Sequence, residues 1–98
     1  MKFVSCEPLL EDIDFSKYPI MDWYIAGGES VEVGFDPNDA RPFDVNWARK
    51  IRDFCKEAGV AFHMKQIGCN PVNAVKTNFK GDKLEDIPED LLIREYPN

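Results

Sequence analysis

Two apolar periodicities divide this chain. Short runs with β-branched or aromatic residues occur at Phe3-Val4-Ser5-Cys6, at Trp23-Tyr24-Ile25-Ala26 and from Val60 to Ile67, and each predicts a strand. Between the second and third runs, Trp47, Ala48, Ile51, Phe54, Cys55 and Ala58 recur at three- and four-residue intervals, which predicts an amphipathic helix. Its limits are written locally. Asp44 is a natural N-cap, Phe43 before it can pack back on the first turn, and Gly59 is a helix stop. Arg49, Lys50, Arg52, Asp53, Lys56 and Glu57 form its solvated face.

The linking segments follow from their breakers. Pro8 ends ladder pairing of the first strand, residues 9–18 predict a connector with one helical turn, and Pro19 closes it. Residues 27–41 form a long loop containing Gly34, Pro37, Asn38 and Asp39, a length that often serves function. From Asn70 onward the chain is polar, with one short helix expected around Asp86, Pro88, Glu89 and Asp90. Leu91, Leu92 and Ile93 are expected to dock on the body.

A strand, a long crossover with a helix, and another strand make a βαβ unit, which favours parallel pairing and a right-handed crossover. The expected fold class is therefore α/β: a three-stranded, mainly parallel sheet with flanking helices, resembling the C-terminal part of a (β/α) barrel. The expected organisation is one domain over 1–98, with a βαβ core at 1–69 and a polar tail at 70–98. A whole barrel takes about 250 residues, so 98 residues correspond to its last portion.

Composition narrows the class. Hydrophobic residues at 44% and charged residues at 31% are too apolar for a disordered chain. A net charge of −6 argues against general nucleic-acid binding, which needs clustered Lys and Arg. No apolar run reaches the roughly 20 residues of a membrane span, and no signal-peptide pattern opens the chain. The expectation is a cytoplasmic protein. Cys6, Cys55 and Cys69 are odd in number and widely spaced, so neither a disulfide framework nor a metal site is expected. Cys6 and Cys55 read as core residues. Cys69, after Gly68, reads as an exposed loop thiol.

The chemistry is concentrated at strand ends. In parallel α/β folds ligands sit at the carboxyl ends of strands, and that edge is expected to carry Glu7, Glu29, Ser30, Lys65 and Gln66, with Arg41 closing the long loop. Two carboxylates and two cations can bind a zwitterion, a phosphate-bearing nucleotide, or a metal through the acids. Gly27 and Gly28 would let a ligand approach the backbone and use their amides. The structural alternatives are a Glu7–Lys65 ion pair, an Arg41 pairing with Asp36 or Asp39, and a Gln66 filling strand-end hydrogen bonds. His63, between Phe62 and Met64, reads as a structural, hydrogen-bonded histidine ahead of a catalytic base.

FVSCEPLL (3–10), DWYIAGGES (22–30), ARPF (40–43), AGV (58–60), FHMKQIG (62–68) and KGDKLEDIPEDLLIREYP (80–97) resemble the carboxyl-terminal half of the phage gp-thirty-seven/gp-sixty-eight family. That resemblance implies a phage- or mobile-element-associated protein related to radical S-adenosylmethionine enzymes. It also implies an iron–sulfur centre carried by an amino-terminal cysteine cluster in the full-length family. This chain has no C-x-x-x-C-x-x-C motif, so neither the cluster nor S-adenosylmethionine is expected as a cofactor of the chain alone. Glu7, Glu29, Ser30, Arg41, Lys65 and Gln66 fall on family motif positions.

Two functional classes follow. One is a piece of an enzyme, from a split or truncated gene, that supplies part of a nucleotide- or S-adenosylmethionine-type pocket. The other is a non-catalytic interaction domain. Its partner is expected to be a second copy, with Phe3, Trp23 and Ile25 on the buried face, or a missing amino-terminal barrel half.

Overall fold

The computed structural model describes residues 1–32 and 34–97. Strand β1 (Phe3–Cys6), β2 (Trp23–Gly27) and β4 (Ala61–Gln66) form a parallel sheet in the order β1-β2-β4. A second, two-stranded parallel sheet joins β3 (Phe43–Asp44) to β5 (Pro71–Val72). Helix α1 (Val45–Ala58) connects β3 to β4. Short 3-10 turns occupy Phe15–Lys17, Pro37–Asp39, Leu84–Asp86 and Glu89–Leu91. The chain is thus mixed α/β, with a three-stranded parallel sheet and one α-helix.

Helix α1 forms where its local chemistry directs. The Asp44 side chain accepts from the Asn46 N–H, and Gly59 at φ 73° takes the left-handed conformation that closes the helix. Its buried residues Val45, Ala48, Ile51 and Cys55 pack on one sheet face. That face is built by Val4, Cys6, Tyr24, Ala26, Phe62 and Met64, alternate residues of the three strands. Phe15 meets Tyr24 edge-on with ring centroids 5.1 Å apart, closing the layer from the first connector.

The segment after β4 departs from the polar tail expected. Its short helix is replaced by two 3-10 turns, neither with a side-chain cap, and Ile87 and Leu91 enter the core. The chain then turns back along β4. Met64 N–H donates to the Ile93 carbonyl and Glu95 N–H to the Phe62 carbonyl, so residues 93–95 form an antiparallel strap on that edge. Arg49 and Arg52 of α1 both grip Asp90, which fastens the strap's approach to the helix. Leu92, expected to dock, is exposed. Asn98 lies outside the described residues.

Cys69 is also a correction. It is buried, and its sulfur accepts from the Val31 N–H at 3.3 Å. The cause is a close crossing of backbones beside it. A side chain on Gly28 would overlap the Ile67 carbonyl, and one on Gly68 would stand 2.7 Å from the Glu29 carbonyl oxygen. Cys6 and Cys55 are buried as expected.

Candidate functional site

The sheet face opposite α1 is arranged in rows across the strands. Phe3, Trp23 and Ala61 share the first row, and Ser5, Ile25 and His63 share the second. At the carboxyl ends the third row is Glu7, Gly27 and Lys65. Lys65 occupies the bulge that shifts the register between Ala26 and Gly27. The face therefore grades from aromatic to ionic along the strand direction.

The ionic row is closed on itself. Lys65 Nζ lies 2.9 Å from Glu7 Oε2 and 3.1 Å from Oε1. The pair spans the middle strand over Gly27. A Cβ there would stand 3.4 Å from Glu7 Cγ and 3.5 Å from Lys65 Cβ. The Glu7 side chain is 23% exposed and that of Lys65 52%, so the cation can swing to another partner.

A second ion pair lies in the loop above β2. Arg41 Nη2 meets Glu29 Oε2 at 2.5 Å, and the Arg41 N–H donates to Glu29 Oε1 at 3.0 Å. These hydrogen bonds hold the Glu29 carboxyl below the usual carboxylate range. Arg41 thus pairs with Glu29, not with Asp36 or Asp39. Gln66 is committed too. Its Nε2 donates to the Gly28 carbonyl and to Ser30 Oγ, each at 3.0 Å, while Ser30 Oγ donates to the Lys80 carbonyl. The Gly28 N–H donates to the Gln66 carbonyl, so this amide serves the chain itself.

His63 is buried on the open face, edge-on to Trp23 and Tyr96 with centroids 6.0 and 5.5 Å away. Its Nδ1 has no hydrogen-bond partner among the described residues. One ring nitrogen of this buried histidine is therefore unused, while its ring also meets the Glu95 backbone. Burial pushes its pKa down, and nearby Arg94 and Lys65 add to that against an opposing pull from the Glu95 backbone. Tyr96 and Arg94 were missed as site neighbours because their strap comes from the tail. Arg94 Nη2 donates to the Lys65 carbonyl at 2.6 Å.

At the opposite, amino-terminal end of the sheet lies a groove of about 1110 Å³ lined by Asp22, Arg52, Gly59, Phe62 and Glu95 among others. Space and polar strand ends therefore do not coincide. The groove's charged groups are largely engaged: Arg52 with Asp53 and Asp90, and Glu95 with the Phe62 N–H.

A family profile described as a protein of unknown function, DUF5131, matches residues 1–91. The chain belongs to the DUF5131 family. No curated protein and no solved structure matches it. The DUF5131 match covers every strand, α1 and both polar pairs, and stops before the strap at 93–95. Among the described residues of the DUF5131 chain, no helix is long and apolar enough to cross a membrane.

Proposed function

We propose that the DUF5131 chain supplies the carboxyl-terminal strands of a barrel-type pocket for a small charged ligand of the nucleotide or S-adenosylmethionine class. One observation carries the reading: a parallel sheet covered by a helix on one face only. Parallel sheets occur almost solely with both faces covered. The face opposite α1, which Tyr96 covers over Trp23 and His63, holds the Glu7–Lys65 pair at the end where such folds bind ligands. Lys65 supplies a cation for phosphate or carboxylate, and Glu7 an acceptor for an amine or hydroxyl. Ile25 and Trp23, partly exposed, offer apolar surface on the same face.

The resemblance to the phage family, and through it to radical S-adenosylmethionine enzymes, supports the ligand class. An iron–sulfur cluster does not fit these residues. The three cysteines are buried, and no group of three metal-ligating side chains occurs among the described residues. Such a centre, where present in the family, belongs to other strands. The reading is one of ligand binding at the Glu7–Lys65 pair.

The groove at the amino-terminal end is the competing location, and one titration separates the two. Backbone NMR shifts are followed as millimolar S-adenosylmethionine or ATP is added. The reading expects perturbations at Ser5, Ile25, His63 and Lys65, lost in Lys65→Met. Shifts confined to Arg52, Gly59 and Phe62 would move the site to the groove. No shifts would overturn the reading.

A further inference from the structure

We propose that the aromatic row at the amino-terminal end of the open face stacks the base of a nucleoside, whose anionic 5′ chain runs along the strands to Arg94 and Lys65. This deepens the pocket reading above, on which it rests, by fixing which end of the face takes which end of the ligand.

The row crosses four segments. The antiparallel bridge His63↔Arg94 continues to Ala61 opposite Tyr96, so Tyr96 joins Phe3, Trp23 and Ala61 on the first row. Ala61 is small, and across it the Tyr96 ring centroid comes to 5.6 Å from that of Trp23. Phe3 stands 6.0 Å from Trp23 on the other side. The two neighbours are tilted by 45° and 53°, so neither is stacked face to face on the indole. Trp23 is held in place by its Nε1, which donates to the Glu95 carbonyl at 2.9 Å. Phe3 and Tyr96 remain 56% and 67% exposed. Exposed aromatic rings in a row are the surface on which bases stack, since every base has a π-face.

The cations lie farther along the same face. Arg94 is exposed and shares the second row with His63. Its Nη2 donates to the Lys65 carbonyl, which brings the guanidinium beside the residue that carries the half-exposed ammonium. Arginine has five N–H donors, and that bond uses one of them. Both charges are felt at His63, where they add to the downward push of burial on its pKa. Arg94 and Lys65 together outweigh Glu7, so this end favours an anionic group although the chain as a whole is acidic.

Spacing selects the ligand. The aromatic row and the Glu7–Lys65 row are separated by the length of β2 from Trp23 to Gly27, roughly 13 Å at the rise of a strand. Exposed Ser5 and half-buried Ile25 lie between them, under the sugar. With the base on the row, a single 5′ phosphate falls short of Lys65. A 5′ triphosphate or a 5′-linked amino-acid chain reaches it, and both end in the anionic oxygens that Arg94 and Lys65 recognise.

Fragments of the ligand test the two ends separately, with amide and indole N–H shifts of the whole chain followed by NMR. Adenosine should move the Trp23 indole and the Phe3 and Tyr96 amides. It should leave the indole of Trp47, which packs against the core on the α1 side. Tripolyphosphate should move Lys65 and Arg94. Phe3→Ala removes an exposed ring and should weaken adenosine about fivefold or more, with the tripolyphosphate shifts unchanged. ATP should bind about tenfold more tightly than AMP, the worth of one charge-assisted hydrogen bond. The tighter of ATP and S-adenosylmethionine then tells whether phosphate or carboxylate is the anionic end. Tripolyphosphate shifts at Lys65 without adenosine shifts at Trp23 would keep the pocket reading and overturn this one. Adenosine shifts confined to Arg52 and Gly59, or equal affinities for ATP and AMP, would overturn it too. Absence of tripolyphosphate shifts at Lys65 and Arg94 would overturn both.

Discussion

Lys65 reaches Glu7 at 2.9 Å across the middle strand of the sheet, over a residue that has no side chain. Gly27 lies beneath that contact, where a Cβ would stand in ordinary contact with Glu7 Cγ and Lys65 Cβ. The pair forms an ionic row on the open face and fixes where the polar end of the face lies.

Two neighbouring glycines should therefore respond differently to substitution. Gly27→Ala meets only ordinary contacts and should change stability by no more than about 1 kcal/mol. Gly28→Ala drives a methyl into the Ile67 carbonyl and should cost about 2 kcal/mol or more. Urea unfolding of both variants measures the contrast, and equal costs would contradict the crossing described at Gly28 and Gly68.

His63 should make the fold acid-sensitive. Its folded pKa lies below the ordinary 6.5, so the unfolded chain binds its proton first. Stability is then fully present above about pH 6.5 and declines as pH falls toward the folded value. His63→Gln should flatten this slope. Thermal melts between neutral and mildly acidic pH read it, and an unchanged slope in the variant would assign the sensitivity elsewhere.

Asp90 should couple the tail to α1. Its hydrogen bond to Arg49, with help from Arg52 and against partial burial, holds the carboxyl well below the usual carboxylate range. The contribution is present above its ordinary pKa near 3.8 and lost as pH drops further. The side chain is 48% exposed, so screening limits the effect of Asp90→Asn to about 1 kcal/mol. The difference from wild type should shrink in high salt, as unfolding curves at two ionic strengths would reveal.

All three thiols should be slow to react. Cys69 is buried, burial raises the Cys6 pKa, and burial with smaller charge effects pushes the Cys55 thiol up to about 12. Thiolate is the reactive form. A chromogenic disulfide reagent should label the native chain slowly and the denatured chain at all three cysteines. Rapid labelling of Cys69 in the native state would show that its loop opens.

Helix α1 was legible because its signals are local: Asp44 caps two residues ahead, Gly59 closes the last turn, and the apolar stripe repeats every three or four residues. The strands were legible for the same reason, as were the charged and polar residues at their carboxyl ends. Pairing was not. Glu7 and Lys65 are 58 positions apart, and their ion pair was one alternative among several until the sheet set their register. Cys69 looked exposed beside a glycine, but Gly28 and Gly68 let backbones cross closely and buried it.

Sequence by itself determined the elements and the chemistry available at their ends, because propensity, capping and periodicity act within a few residues. Tertiary structure alone decided that the tail straps β4, that Tyr96 covers His63 and that β1 keeps an open edge. Those outcomes depend on backbone hydrogen bonds between distant segments. Every residue carries the same donor and acceptor, so the residue types do not encode which partners meet.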